Sequence, residues 1–394
     1  MGNSFGFLRG ESGSGFQFNV VEACKAEDVD LAQACSLTFG ADHDLVSIGN
    51  VTRGRMVPQP GIAGIGTRLI IDVNSQFGSA FASFRDKPNN KTPENPNADP
   101  TWKDRVRAAG RTFVLGVADT QTIFVGAFLL GFAGRSKCKL TSYHFTVAVS
   151  QMMIALSVLT FSIALVRTYW RNPLAAAFRL ILSVGAFIGV GLTIFREANY
   201  APYDALKHSS RDSAILLPVA CMLEMDLRSA AEEQARQNQA DLGFGNATAW
   251  PPERFMYIVL GIAFIAAHIS VPIRFAESRD RAPKVWTDKR AFVTLIYWIL
   301  VLLTPIVTSM FCWFRVYTMR EWIAGSGWME DPNTEMIVWD SRQLIAMGVL
   351  ITVIMNVLTE AMEREKKHAK KRSDGMDGEA GVELLPTAYR GYEY

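Results

Sequence analysis

The residues whose types and positions could do chemistry in this chain are polar groups set inside long apolar stretches. Asp119, Thr120 and Gln121 interrupt the run TFVLGVADTQTIFVGAFLLGFAG, Tyr143 and His144 open the next run, and Gln151, His268 and Asn356 lie deeper in theirs. A polar or ionisable side chain in hydrocarbon is costly, so one that is present marks a ligand or ion site, or a bond to a neighbouring helix. Asp119 and Gln121 would form an inward-facing ion or ligand site. Tyr143 with His144 would form a proton-sensitive pair, because an imidazole titrates near neutrality. Asp119, Gln121, His144, Gln151, His268 and Asn356 are together the candidate intramembrane polar site. Each has a structural alternative. Asp119 could N-cap a shorter helix, with Lys103 to Val117 as an amphipathic lead-in on the membrane surface. Tyr143 and His144 could anchor a helix at the interface. Gln151, His268 and Asn356 could bond adjacent helices.

The elements that position these residues follow from hydropathy. About 20 apolar residues at 1.5 Å rise cover a hydrocarbon core of roughly 30 Å. Six stretches meet that length: about Thr112–Gly134, Tyr143–Val166, Pro173–Phe195, Phe255–Phe275, Phe292–Phe314 and Leu344–Met362. The expected fold is therefore all-α, a polytopic transmembrane helix bundle with six firm spans and a possible seventh. The seventh candidate, Ile62–Phe84, is weakened by Arg68, Asp72, Asn74 and Gln76, since a charge near a helix centre costs roughly 2.5–3.5 kcal/mol on insertion scales. Ala214–Met225 is too short to span and reads as an interfacial or luminal helix. Pro272 and Pro305 should bend their helices. Gly185, Gly189 and Gly191 permit close helix packing, expected within one chain.

The domain order is a polar N-terminal region at 1–60, the weak first span and linker at 61–111, a three-helix membrane segment at 112–195, a long outer loop at 196–254, a second three-helix segment at 255–362, and a basic, then disordered tail at 363–394. Basic residues orient it. Arg274, Arg279, Arg281, Lys284, Lys289 and Arg290 follow the fourth span, and Arg364, Lys366, Lys367, Lys370, Lys371 and Arg372 follow the sixth. Both clusters should be cytoplasmic, and one orientation satisfies both. Arg135, Lys137 and Lys139 oppose it. The C-terminus is then cytoplasmic, and 276–291 and 363–394 are surfaces for a cytoplasmic partner.

In this orientation the sequon Asn246-Ala247-Thr248 falls outside. Asn50-Val51-Thr52 is usable only if the N-terminus is outside too, and Asn90-Lys91-Thr92 would then be cytoplasmic. The five cysteines, Cys24, Cys35, Cys138, Cys221 and Cys312, show no metal spacing and read as mostly free thiols. Cys138 and Cys221 fall on the same outer side and are the candidate disulfide. Trp322, Trp328 and Trp339 read as an aromatic belt.

The net charge of +2 gives no nucleic-acid surface. The sequence has no HExxH, GxSxG or Walker loop, so no catalytic, cofactor-binding or metal-ligating residue is assigned and the chain is expected not to be an enzyme.

Several pieces resemble, in order, an uncharacterised group of fungal multi-pass integral membrane proteins. They are Gly61-Ile-Ala-Gly-Ile-Gly66, Ala118-Asp119-Thr120-Gln121 followed by Gly126, Ser142-Tyr143-His144-Phe145, the basic and aromatic turn Arg167 to Pro173, and Trp339 with Gln343. The resemblance covers 61 to about 195 and about 339 to 362. It implies about seven spans, an outer N-terminus and a cytoplasmic tail, and it carries no activity. The sequence departs from the group's pattern in its polar 62–84 stretch and in lacking a serine before Asp119.

The expected function is that of a non-enzymatic protein of a plasma membrane or endomembrane, with the lipid bilayer as its first partner. Its ligand and oligomeric state are unknown. A receptor, sensor or scaffold would use the outer loop as its ligand face. A small-solute or ion transporter would line a path with the candidate polar residues; the spans are poor in ionisable groups and show no inverted repeat.

Overall fold

A computed structural model of the chain describes residues 20–42, 44–57, 116–130, 138–165, 173–197, 211–244, 252–279, 296–297 and 299–330. The expected spans at 62–84 and 344–362, with Asn356, Asn246, Asn90, Trp339, Gln343, the tail 363–394 and most of 276–291, lie outside the described residues.

Two short helices, α1 (Val20–Lys25) and α2 (Leu31–Ala34), precede a three-stranded antiparallel sheet. Its strands are β1 (Leu37–Phe39), β2 (Leu45–Ile48) and β3 (Val51–Thr52), in the order β1-β2-β3. Asp30 caps α2 by accepting from the backbone N–H of Ala32 at 2.9 Å. The protein is mostly helical, and this sheet is the departure from the all-α expectation. Its inward residues Leu37, Leu45, Ile48 and Val51 are buried, while the apolar Val46 between Leu45 and Ile48 is exposed, so the sequence shows no strict alternation there.

The helices that follow are α3 (Gly116–Leu130), α4 (Ser142–Leu165) and α5 (Pro173–Glu197). Two small helices come next, α6 (Val219–Leu223) and α7 (Met225–Gln237), and then α8 (Pro252–Arg279) and α9 (Thr304–Ser326). A 3-10 turn at Ala214–Leu216 precedes α6. On the exposed side of α7, hydrogen bonds from Gln237 and then Arg236 hold the Glu233 carboxyl below the usual carboxylate range.

Four helical stretches are long and apolar enough to cross a membrane: Ser142–Ala164, Ala176–Phe195, Pro252–Ser270 and Ile299–Ser326. The expectation of six is met for these four. The α3 helix covers about 22 Å at 1.5 Å per residue, short of a full crossing within its described length. The expected end of the fifth span at Phe314 is corrected, because α9 continues through Arg315 and Arg320 to Ser326. Both arginines are sequestered: Arg315 pairs with Glu253, and Arg320 is 4% exposed. Pro305 acts just upstream of its own position. Its ring cannot sit against the carbonyl four residues back, and Ile299–Leu303 is wound as π-helix instead. No such break marks Pro272, and α8 runs continuously past it.

The bundle is built around α4. That helix carries no charged residue and is apolar on every side, so it has no face suited to solvent and lies wholly buried. Four of its hydroxyls are absorbed by its own backbone: Thr146, Ser157, Thr160 and Ser162 each donate to the carbonyl four residues earlier, at 2.7–2.8 Å. The outer helices show the opposite pattern. Phe178, Ile181, Ile188, Ile262, Ile265 and Met310 are each more than half exposed, a band too apolar for water and suited to lipid.

Paired contacts give the helix directions. Asp119 meets Arg179, and Leu129 lies over Gly189, so α3 and α5 run parallel. Arg254 Nη2 donates to Phe195 O at 2.8 Å and Tyr257 Oη to Phe187 O at 2.7 Å, so α8 runs antiparallel to α5. Glu253 meets Arg315 and Met256 meets Thr308, which makes α9 antiparallel to α8.

The glycines of α5 provide a packing test. A Cβ at Gly191 would strike the Tyr257 hydroxyl, which is fixed by its bond to Phe187 O. A Cβ at Gly189 would strike the tip of Leu129, a side chain that can turn aside, and Gly185 faces open space. Gly191→Ala is expected to cost about 1–3 kcal/mol of stability, Gly189→Ala less, and Gly185→Ala nothing measurable, read from unfolding midpoints in detergent. Equal losses at all three would contradict this packing.

Candidate functional site

Two features qualify as a site: the cap at one end of the bundle and the polar groups buried in its middle. The cap begins with cysteines. Cys24 is bonded to Cys138, and Cys35 to Cys221, with Cα separations of 5.6 and 5.5 Å. The expected pair Cys138–Cys221 is therefore corrected: each is in a disulfide, and the partner of each comes from the N-terminal region. The expectation of mostly free thiols is corrected with it, and Cys312 is the free cysteine. These bonds bring α1, α2 and the sheet onto the start of α4 and onto α6.

Backbone bonds close the rest of the cap. Met56 N donates to Trp328 O at 3.0 Å and Glu330 N to Met56 O at 3.1 Å, tying the end of the N-terminal region to the end of α9. Ser142 N donates to Leu217 O at 2.8 Å and Val219 N to Leu140 O at 2.9 Å, tying the start of α4 to the segment before α6. Leu37 N donates to Gln234 Oε1 at 3.0 Å, tying β1 to α7.

A polar lock holds the centre. Arg53 pairs with Asp212 and lies 4.7 Å above the Trp328 ring, while Trp328 Nε1 donates to Arg211 O at 3.0 Å and to Asp212 Oδ1 at 3.2 Å. Trp328 is 0% exposed. It is thus a core residue of the cap, which corrects its reading as part of an aromatic belt; the tertiary partner Arg53 is far away in sequence.

The intramembrane candidates separate into three kinds. Asp119 is engaged: Arg179 Nε and Nη2 donate to its two carboxylate oxygens at 2.7 and 2.8 Å. This bidentate pair overturns the N-cap alternative, because Asp119 sits inside α3. The sequence reasoning singled out the aspartate and missed the arginine. The signal for it was Arg179 itself, an ionisable residue inside an expected span, which needs an opposite charge nearby.

The histidines are also occupied. Thr141 Oγ1 accepts from the His144 backbone N–H at 3.4 Å and contacts His144 Nδ1 at 2.8 Å, so this pair caps the start of α4. Tyr143 and His144 are 0% and 1% exposed, which corrects their reading as interfacial anchors. The Nδ1 of His268 lies 3.0 Å from Phe264 O, one turn back in the same helix.

Gln121 and Gln151 form the third kind. Each is 1% exposed, and the amide oxygen and nitrogen of both have no hydrogen-bond partner among the described residues. Ser150 Oγ, beside Gln151, is unpartnered as well. Gln121 lies on the buried face of α3 between Val117 and Val125. Buried polar groups are nearly always bonded, so each exception needs an explanation. In purified, ligand-free protein, Gln151→Leu should raise the unfolding midpoint, since it removes a desolvation penalty of about 1–3 kcal/mol. A lowered midpoint would mean that the amide is bonded in solution.

Among the described residues, no group of three or more His, Cys, Asp or Glu side chains is placed to hold a metal ion. The fold and site together define a mostly helical protein with four helices able to cross a membrane and a disulfide-bonded cap at one end. Its sequence matches no family model and no curated protein, and its fold matches no solved structure.

Proposed function

We propose that this chain is a multi-pass integral membrane protein of the receptor, sensor or scaffold kind, with its cap outside and its C-terminus in the cytoplasm. The observation that carries the reading is the pair of disulfides at one end of the bundle. Disulfides persist in oxidising compartments, so that end belongs outside the cytosol. The opposite end leads into the basic loop after α8, and the positive-inside rule assigns it to the cytoplasm independently. Val57 belongs to the cap end, whereas α3 begins at the other end, beside the start of α5. The chain must change ends between them, which favours Ile62–Phe84 as a seventh span. The basic stretches 276–291 and 363–394 would face a cytoplasmic partner.

A cap tied at this many points gives a rigid outer surface for a ligand or partner. Asp119, the one acid among the intramembrane candidates, is neutralised by Arg179 and is not available to a translocating cation. The second reading, a transporter of small uncharged solutes, is favoured by the unpartnered Gln121 and Gln151 amides. Flux measurements on protein reconstituted in liposomes separate the two. The receptor-like reading expects no protein-dependent flux of ions, sugars or amino acids. Flux that is abolished by Gln121→Ala would establish the transporter instead.

A further inference from the structure

We infer that Asn50 is a site of N-linked glycosylation, carried at the tip of a hairpin on the cap's outer surface. The inference rests on the orientation proposed above, which puts the cap outside. Asn50 and Thr52 form the sequon Asn50-Val51-Thr52. A sequon alone is weak, because it recurs by chance; the local structure distinguishes this one.

Gly49 and Asn50 are the two loop residues between β2 and β3, closed by the pairing of Ile48 with Val51. Gly49 takes a φ of +58°, the conformation favoured for glycine at the first position of a two-residue hairpin. Its N–H donates to Ser36 O at 2.7 Å, and its Cα faces Ala34 so closely that no Cβ would fit. Ala34 precedes Cys35, whose disulfide fixes this side of the turn to α6. One loop residue is thus seated on the cap. The other, Asn50, is exposed, and so is Thr52. Two residues apart across a turn into a short strand, the acceptor and its hydroxyl partner are both accessible. Val51, between them, points into the cap core.

The reaction is a glycosyl transfer. Asn50 Nδ2 forms a bond to the anomeric carbon of a lipid-pyrophosphate-linked oligosaccharide. The anomeric C–O bond to pyrophosphate breaks, the lipid pyrophosphate leaves with the electron pair, and an amide proton is lost to base. The transferase and the lipid-linked donor are those of the membrane in which the chain is inserted.

The test expresses the full chain in a eukaryotic secretory pathway, with the sequons at Asn90 and Asn246 removed by Asn90→Gln and Asn246→Gln. One endoglycosidase-sensitive mobility step is expected. It should vanish in Asn50→Gln and in Thr52→Ala and persist in Thr52→Ser, a variant that keeps both the hydroxyl and the strand. The same samples are denatured without reductant and treated with a maleimide. If only Cys312 reacts and no mobility step is seen, the cap is oxidised but Asn50 is unmodified, and the proposal is overturned while the orientation stands. If all five cysteines react, the orientation fails and takes the proposal with it.

Discussion

Cys35→Ala is expected to destabilise the protein by about 2–5 kcal/mol, the usual cost of removing a native disulfide. The Cys35–Cys221 bond joins positions 186 residues apart and ties α2 to α6. Without it, the N-terminal region is held to that helix by hydrogen bonds and packing alone. Because both sulfur-bearing residues are at most 3% exposed, reductant should act slowly on the folded protein and quickly once the cap opens. The effect is read as a lowered unfolding midpoint of the purified protein in detergent. Faster labelling of the freed Cys221 by a maleimide should accompany it. An unchanged midpoint would mean that the cap's remaining bonds suffice and that this disulfide is not what holds it.

The second large effect belongs to Asp119 and Arg179. Breaking a sequestered ion pair from one side costs about 3–5 kcal/mol, because the remaining charge has no counterpart. The two side chains are 39% and 32% exposed, but in a bilayer that exposure is to hydrocarbon, which does not screen as water does. Asp119→Ala and Arg179→Ala should each lower stability by about 3 kcal/mol. The double variant Asp119→Ala with Arg179→Ala should lose less than the sum of the two single changes. A double-mutant cycle in detergent checks this. Single effects that add to within about 0.5 kcal/mol would show that the two groups do not interact.

Much of the bundle was legible in the sequence because hydrocarbon imposes a simple rule. The expected spans at Tyr143–Val166 and Pro173–Phe195 agree closely with α4 and α5, whose apolar runs are followed by charged and polar residues in the sequence. The end of α9 was not legible. The expected span stopped at Phe314, just before the charged Arg315, and the burial of Arg315 depends on a tertiary partner, Glu253. The cap was missed for a related reason. Its strands are two to four residues long, too short for alternation to stand out among polar neighbours. Cysteine connectivity cannot be deduced from sequence spacing, so Cys24 and Cys35 pointed to no partner. Gly49-Asn50 between Ile48 and Val51 was the available hairpin signal.

The candidate polar residues show the same division. Asp119, Gln121 and Gln151 were singled out because polar groups in apolar runs are conspicuous. That Asp119 is paired while the two amides are not depends on which helices adjoin, and the sequence is silent on that.

The most direct test of the account is the sidedness of the cap. Glu232 lies on the exposed side of α7, and Glu232→Cys, in a background carrying Cys312→Ala, is a reporter for it. In sealed microsomes with their cytosolic face outward, a membrane-impermeant maleimide should leave Cys at 232 unmodified, and detergent opening should make it reactive. Full modification in the intact vesicles would put the cap in the cytosol and contradict the account.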